Sequence, residues 1–294
     1  TDLSYPDKRD CAVRQRAKRT RITRITRMKI GLVDIDGNAK KKKWGATIYP
    51  NLALCKIARW HKQQGDDVEW AFPFEHYDVV YMSKVFSFTP DYEECINADE
   101  VVRGGSGYAI SLIDGREVFD KSKDIDLPVE VEHMYPDYSL YPHLTEDTAY
   151  GFLTRGCPRG CDFCIVEKKE GRCSVKVADL KEFWNGQKNI VLCDPNILAC
   201  KDWKDLLQQL IDSKANVDFN QGLDAFLRTP HKAKRLGELA IRPARIAFDH
   251  IEDIEAYKRA ITLCAENGIT TSFVRKGPKP NEEDKETRTA RRII

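Results

Sequence analysis

Three cysteines within one short stretch are the residues whose types and spacing most directly suggest chemistry. Cys157, Cys161 and Cys164 lie in the sequence GCPRGCDFC, four and then three positions apart. A structural zinc site normally takes four ligands, commonly as two C-x2-C pairs that lie far apart in sequence. A [4Fe-4S] cluster is usually held by four thiolates, so three thiolates leave one iron with an open coordination position. The spacing favours such a cluster, with a zinc site or a ferredoxin-like cluster as alternatives.

The loop that carries the cysteines directly follows a predicted strand, AYGFLTR. Gly156 and Gly160 give its backbone the freedom to fold tightly around a cofactor. Backbone N–H groups of such a loop can point at the sulfur atoms of a cluster. A strand that runs straight into the cysteines therefore predicts a cofactor loop at the end of that strand.

The sequence CPRGCDFC resembles the C-x3-C-x-aromatic-C signature of the radical S-adenosylmethionine (radical SAM) superfamily. The resemblance implies that the three cysteines bind a [4Fe-4S] cluster whose fourth iron is chelated by S-adenosylmethionine (SAM). It implies that the reduced cluster cleaves SAM to methionine and a 5′-deoxyadenosyl radical, which abstracts a substrate hydrogen. It also implies that Phe163 lies beside the adenine, and that a flavodoxin-type or ferredoxin-type protein donates the electron. The longer stretch TRGCPRGC is especially similar to the methylthiotransferases and to cobalamin-type radical SAM proteins.

Polar residues at or just after predicted strand ends are candidates for contacts with SAM or a substrate. No Gly-Gly-Glu follows the second strand of the C-terminal half, and CDPNI occupies its place. The resemblance therefore makes the stretch from Asp194 to Asn196 the candidate for the methionine amino group. Asn220, Asp224 and Asp249 are candidates for the SAM ribose or the substrate. The alternative role for each is to cap a loop or a helix.

The elements that must position these residues alternate between strand and helix, which predicts an α/β fold with parallel sheets. KIGLVDI, DVEWAF, YDVVYMSKVF and DEVVRGG predict the strands of a Rossmann-like domain over residues 28–114, with a helix over NLALCKIARWHKQQG. Residues 149–274 contain five strand-like runs and four helical stretches, the first of them KVADLKEFWN. This second pattern resembles part of a (βα) barrel, in which chemistry occurs at the C-terminal ends of the strands. No sixth strand follows, so the pattern predicts a partial barrel truncated after its fifth strand.

Three further segments lack a core-forming pattern. Residues 1–27 contain nine Lys and Arg against three acidic residues and are expected to be a disordered basic leader. Residues 115–148, rich in Pro, Asp and Tyr, predict a linker between the two domains. Residues 275–294 predict a disordered basic tail.

The N-terminal domain resembles the cobalamin-binding-type domain that precedes many radical SAM cores. In that family a D-x-H-x-x-G loop supplies a histidine to cobalt, but the corresponding DIDGNAKKKKWG contains no histidine. Histidine-ligated cobalamin is therefore not expected, whereas the resemblance leaves cobalamin bound without that histidine open, since some relatives bind it in that way. Cys173, Cys193 and Cys200 have spacings that fit no metal motif, and they are predicted to be buried or incidental thiols rather than ligands of an auxiliary cluster.

Charge and hydropathy limit the classes of function. Residues 28–274 carry a net charge of −7, which argues against a nucleic-acid partner because phosphate binding needs clustered cations. No apolar run reaches the length of about 18–20 residues that a membrane helix needs, and no secretory signal is expected because no apolar segment occurs near residue 1. We expect a cytoplasmic enzyme whose substrate the sequence leaves open.

Overall fold

Two parallel four-stranded sheets organise the part of the chain that the computed structural model describes, namely residues 27–38, 49–114, 116–248 and 251–270. This architecture confirms the predicted α/β fold with parallel sheets. The predicted tail lies outside the described residues, as does all of the leader except Arg27. No helix in the described ranges is long and apolar enough to cross a membrane.

The N-terminal sheet has the strand order β2–β1–β3–β4, and all its strands are parallel. The strands and helices of this domain are β1 (Lys29–Asp34), α1 (Ile35–Asn38), α2 (Leu52–Gln63), β2 (Asp67–Trp70), β3 (His76–Ser83), β4 (Asn97–Gly104) and α3 (Ser106–Ala109). Helix α2 begins after Asn51, whose side chain accepts a hydrogen bond from the Leu54 N–H at 3.1 Å. Its buried face packs Leu54 and Ile57 against Ile30 and Leu32 of β1. The amphipathic pattern of α2 therefore covers one face of the sheet.

The segment predicted to be a linker folds onto both domains. Its elements, with the strand before it, are β5 (Ile110–Ile113), β6 (Arg116–Phe119), α4 (Val129–Glu132) and α5 (Pro142–Thr145). Val131 belongs to the same buried cluster as Leu54 of α2. The Tyr141 hydroxyl donates to the Asp34 carboxylate at 2.8 Å. The Tyr138 hydroxyl lies 3.0 Å from both the N and the O of Tyr150 in the second domain.

The C-terminal domain is built on a sheet with the order β13–β11–β10–β7, in which every pair is parallel. Its elements are β7 (Thr148–Gly151), β8 (Thr154–Arg155), α6 (Val166–Glu170), β9 (Val175–Lys176), β10 (Asn189–Leu192), α7 (Trp203–Ser213), β11 (Asn216–Phe219), β12 (Leu223–Asp224), α8 (Pro230–Gly237), β13 (Ala240–Ile241), β14 (Ile246–Ala247) and α9 (Ile254–Glu266). Strands β12 and β14 pair in parallel beyond the ends of β11 and β13. The spatial order follows the chain order, as the strands of a βα barrel require.

In the C-terminal domain, the predicted strands agree with the structure better than the first predicted helix does. Four of the five predicted strands lie in the paired regions, and the fifth falls mostly beyond residue 270, outside the described residues. The predicted helix over residues 176–185 is only a single 3-10 turn, Leu180–Glu182. Asp179 and Glu182 cap that turn reciprocally, and Leu180 and Phe183 turn into the core. The apolar side chains of this segment are therefore buried without a longer helix.

Candidate functional site

The three cysteines lie on the loop that follows β7 and β8 at the carboxyl edge of the C-terminal sheet. After β7 the chain enters β8, which pairs antiparallel with β9, so the loop is carried by a short hairpin. The Cys157 N–H donates to the Gly171 carbonyl at 3.2 Å, and the Cys164 N–H donates to the Cys161 carbonyl at 2.9 Å. The Glu170 carboxylate accepts from the Gly156 N–H at 3.1 Å and closes the base of the loop.

Both glycines of the motif have backbone conformations that other residues adopt poorly. Gly156 has φ of 83° and Gly160 has φ of 60°. A Cβ atom at Gly156 would collide with the Cys173 carbonyl oxygen. A Cβ atom at Gly160 would lie 2.7 Å from the Glu167 carboxylate. The two glycines therefore permit the tight course of the cysteine loop, as the sequence predicted for a cofactor loop.

Asp194 holds the start of this loop in place. Its carboxylate follows β10 and accepts hydrogen bonds from the Leu153 N–H at 3.1 Å, the Thr154 N–H at 2.5 Å and the Thr154 hydroxyl at 2.6 Å. The residue is only 5% exposed. Burial raises its pKa to about 6, although the hydrogen bonds from Thr154 and Leu153 act in the opposite direction. The structure thus places this predicted cofactor residue on the backbone that leads to Cys157.

Asn196 connects the first cysteine to strand β12. Its amide N–H group lies 3.6 Å from the Cys157 Sγ and 3.0 Å from an Asp224 carboxylate oxygen. Asn196 is 5% exposed, and its Oδ1 atom has no hydrogen-bond partner in the described part of the chain. Asn196 therefore bridges the predicted residues Cys157 and Asp224 through its amide nitrogen, and its Oδ1 atom can accept a further hydrogen bond.

A cation lies beside this group. The Arg159 guanidinium, from the cysteine loop, is 3.4 Å from an Asp253 carboxylate oxygen and 3.9 Å from one of Asp224. It also lies over the ring of Phe226, 4.2 Å from the ring centroid. The guanidinium therefore partly balances the negative charge of Asp224 and ties the loop to the segment after β12.

The other predicted site residues are Phe163, Asn220 and Asp249. Phe163 is 38% exposed on the cysteine loop. The Asn220 side-chain oxygen, just after β11, accepts a hydrogen bond from the Tyr49 hydroxyl at 2.8 Å. Asp249 lies outside the described residues. The three other cysteines differ in exposure, because Cys200 is buried, Cys193 is partly buried and Cys173 is exposed.

The kind and number of the donors on the cysteine loop match an iron–sulfur site, whereas their arrangement in the structure does not form a metal site. Within residues 27–38, 49–114, 116–248 and 251–270, no group of three His, Cys, Asp or Glu side chains is placed to hold a metal ion. The three motif thiols are partly buried on one glycine-shaped loop, and the amide of Asn196 points at one of them. Hydrogen bonds to ligand sulfur are a feature of iron–sulfur sites. In a [4Fe-4S] site, three cysteines would bind three of the irons and leave the fourth for another ligand.

Sequence patterns missed several residues of this region. The sequence indicated the backbone near Asn196 but not its side chain, and it did not indicate Arg159 or Tyr49. Tyr49 and Asn220 are 171 positions apart, so no local pattern links them. Arg159 is part of the CPRGC motif itself, but the spacing of that motif assigns no role to its arginine.

Comparison with known proteins supports the fold rather than a family. No protein-family model matches this sequence, and no curated protein matches it. A solved structure of the radical SAM methyltransferase TsrM from Kitasatospora setae, with cobalamin and a [4Fe-4S] cluster bound, is similar to this chain with a TM-score of 0.54 and 12% identity. The match covers 83% of this chain and 68% of that one. The chain therefore shares a mixed α/β fold with a radical SAM methyltransferase.

Proposed function

We propose that this chain is a radical SAM enzyme in which Cys157, Cys161 and Cys164 hold a [4Fe-4S] cluster. The observation that carries the proposal is the position of the C-x3-C-x2-C loop, which leaves the first strand of a parallel barrel sheet at its carboxyl edge. Barrel enzymes place their chemistry at that edge. The fold shared with a radical SAM methyltransferase supports the same proposal.

The bound cluster would supply the electron that cleaves SAM and so generates a radical. The residues of this chain bind and orient the reactants. The Asn196 amide donates toward the Cys157 sulfur at 3.6 Å, and hydrogen bonds to ligand sulfur are a feature of iron–sulfur sites. Its buried Oδ1 atom is available to accept an N–H or O–H group of bound SAM. Asp224 fixes the orientation of this amide from the other side.

For the reaction itself, we propose only its type and no particular substrate. We propose hydrogen abstraction by the radical, with transfer of a methyl or methylthio group as the outcomes to test first. TsrM is a methyltransferase with cobalamin bound. We leave histidine-ligated cobalamin out, because the loop after β1 contains no histidine. Retention of hydroxocobalamin through gel filtration would show that the N-terminal domain binds it in another way.

Anaerobic reconstitution with iron and sulfide tests the cluster. We expect about four iron atoms per chain and a broad absorption band near 400 nm, as iron–thiolate centres show. Cys161→Ala should lose both signals. Cys95→Ala is the matched control, because Cys95 is exposed on the N-terminal domain and should leave them unchanged.

Cleavage of SAM separates the proposal from its two alternatives. With dithionite or a reduced flavodoxin as the electron donor, the reconstituted enzyme should release 5′-deoxyadenosine. A cluster that is reduced and never consumes SAM would indicate an electron-transfer protein. A protein that takes up zinc but no iron and sulfide would indicate a structural zinc module.

A further inference from the structure

The barrel sheet has one face covered by helices and one face that is not part of that core. Ile190 and Leu192 of β10 pack with Leu206 and Leu210 of α7 in one buried cluster. Side chains alternate along a strand, so the residues between and after them point to the opposite face. We call this opposite face the inner face. Its members on the three paired strands, or directly after them, are Tyr150, Val191, Cys193, Asp218 and Asn220, where Cys193 follows β10 and Asn220 follows β11.

The ladder places Cys193 and Asn220 side by side at the carboxyl end of the inner face. The Cys193 N–H donates to the Gly151 carbonyl, and the Asn220 N–H donates to the Leu192 carbonyl, both at 2.9 Å. Asp218 lies in the preceding row and is paired with the Arg245 guanidinium. The inner face therefore presents a thiol, an amide and an ion pair at the edge where the cysteine loop begins.

Tyr49 reaches this face from the N-terminal domain. Its hydroxyl donates to the Asn220 side-chain oxygen at 2.8 Å. Its ring meets Tyr150 edge-on, with 6.1 Å between the ring centroids. Nearby Cys193 and Arg245 both influence the phenol electrostatically, while burial is the main cause of its raised pKa. One side chain of the other domain thus contacts two strands of the barrel sheet and lies close to Cys193.

The position of Tyr49 is fixed from its own domain. Pro50 follows it, and proline restricts the backbone at that point. The next residue, Asn51, caps helix α2 and donates from its side-chain amide to the Ser83 hydroxyl at 2.8 Å. Ser83 ends β3, so the tyrosine is held close to the carboxyl edge of the N-terminal sheet.

We propose that Tyr49 is a gating residue that covers the inner face of the barrel over Cys193 and Asn220, and that it must move aside before a substrate reaches that face. The proposal rests on the proposed function in one respect, since it takes the inner face as the substrate face. Release breaks the Tyr49–Asn220 hydrogen bond and the ring contact with Tyr150. The N-terminal domain thereby controls access to a site that the barrel carries.

The thiol of Cys193 reports whether the gate is open. Burial raises its pKa to about 12, so the closed form should react slowly with a maleimide, because only the thiolate is the nucleophile. Labelling of the whole apo-protein, followed by peptide mass spectrometry, gives the rate for each cysteine separately. Cys55, Cys200 and Cys264 are almost fully buried elsewhere and serve as internal references for general unfolding.

Two variants of Tyr49 should raise the labelling rate of Cys193 to different extents. Tyr49→Phe removes only the hydroxyl, and loss of one hydrogen bond should raise the Cys193 labelling rate about two- to tenfold. Tyr49→Ala also removes the ring contact and should raise it further. Tyr92→Phe is the control, because Tyr92 bonds Glu94 on the exposed surface. In all three variants the rates of the reference cysteines should stay at their wild-type values.

Unchanged labelling of Cys193 in Tyr49→Phe and Tyr49→Ala would overturn the gate. An equal rise at Cys193 and at the three reference cysteines would also overturn it, because that pattern marks a general loss of stability. These outcomes are independent of the proposed function. Labelling needs no cluster and no SAM, whereas failure of the wild-type enzyme to cleave SAM leaves the labelling result standing.

Discussion

Asp194 is the anchor of the cysteine loop, and Asp194→Ala removes it. The variant leaves three buried donors without their acceptor, namely the N–H groups of Leu153 and Thr154 and the Thr154 hydroxyl. Each buried donor that loses its partner costs about 1–3 kcal/mol. Three such donors cost about 3–9 kcal/mol, and removal of the buried charge offsets about 3 kcal/mol of this cost at pH 7. At the middle of that range, we therefore expect the free energy of unfolding at pH 7 to fall by about 3 kcal/mol. Iron uptake should fall as well, because the released backbone leads directly to Cys157.

The conservative variant Asp194→Asn isolates the charge. Asparagine keeps one oxygen acceptor and avoids the cost of burying a carboxylate, so it should be closer to wild type than alanine at pH 7. The folded pKa of about 6 lies above the unfolded value of about 3.9. The folded protein therefore binds the extra proton between about pH 4 and 6, and this carboxyl makes the wild type less stable as the pH rises through that window. Below it, the wild type should gain up to about 3 kcal/mol relative to Asp194→Asn.

Urea unfolding of the apo-proteins at pH 7 and pH 4.5, followed by tryptophan fluorescence, measures both effects. Hydrogen exchange of the Leu153 and Thr154 amides shows whether the loss is local to the loop. An Asp194→Ala variant within about 0.5 kcal/mol of wild type at pH 7 would refute the anchoring role. A difference between wild type and Asp194→Asn that does not change with pH would refute the raised pKa.

Three further substitutions test the loop and its supports. Gly156→Ala should lose cluster retention and about 2 kcal/mol or more of the free energy of unfolding, because it adds a collision to an unfavourable positive φ. Gly171→Ala is its control and should lose less, because Gly171 has φ of 93° and open space around it. Iron content and urea midpoints of the two variants measure the difference. Tyr138→Phe should cost about 1–3 kcal/mol of unfolding free energy, because its hydroxyl bonds the buried backbone of the first barrel strand. Asn196→Ala should weaken SAM binding to the reconstituted protein at least several-fold in equilibrium dialysis, and an unchanged affinity would remove Asn196 from the site.

Local sequence patterns predicted the cysteine loop and the strands of both four-stranded sheets except β13, which no predicted strand covers because its Ala240 ends a stretch predicted to be helical. Strand-length apolar runs and the 3.6-residue period determine such elements through contacts between near neighbours. The run NIVLCD is an example, since β10 takes up Asn189–Leu192 and Asp194 follows it at the sheet edge. The tight turns at Gly156 and Gly160 could also be predicted from the sequence, because a backbone with positive φ favours glycine.

Contacts between distant segments were not predictable in the same way. Residues 115–148 look like a linker because Pro, Asp and Tyr interrupt every periodic pattern, yet their tyrosines supply long-range hydrogen bonds. The direction of the Asp194 side chain depends on a strand 40 positions earlier in the chain. The approach of Tyr49 to Asn220 depends on how two domains dock. Such pairings are set by tertiary packing, which overrides local preference.

The folded segment between the domains limits how the protein can be divided by recombination or limited proteolysis. A fragment that ends at residue 114 would lose Val131 from its buried cluster and the hydroxyl of Tyr141 from its first strand. A fragment that begins at residue 148 would lose Tyr138, which bonds the backbone of its first strand. Neither half is a complete module, so an exchange of barrels between homologues would have to carry this segment together with both sheets that it joins.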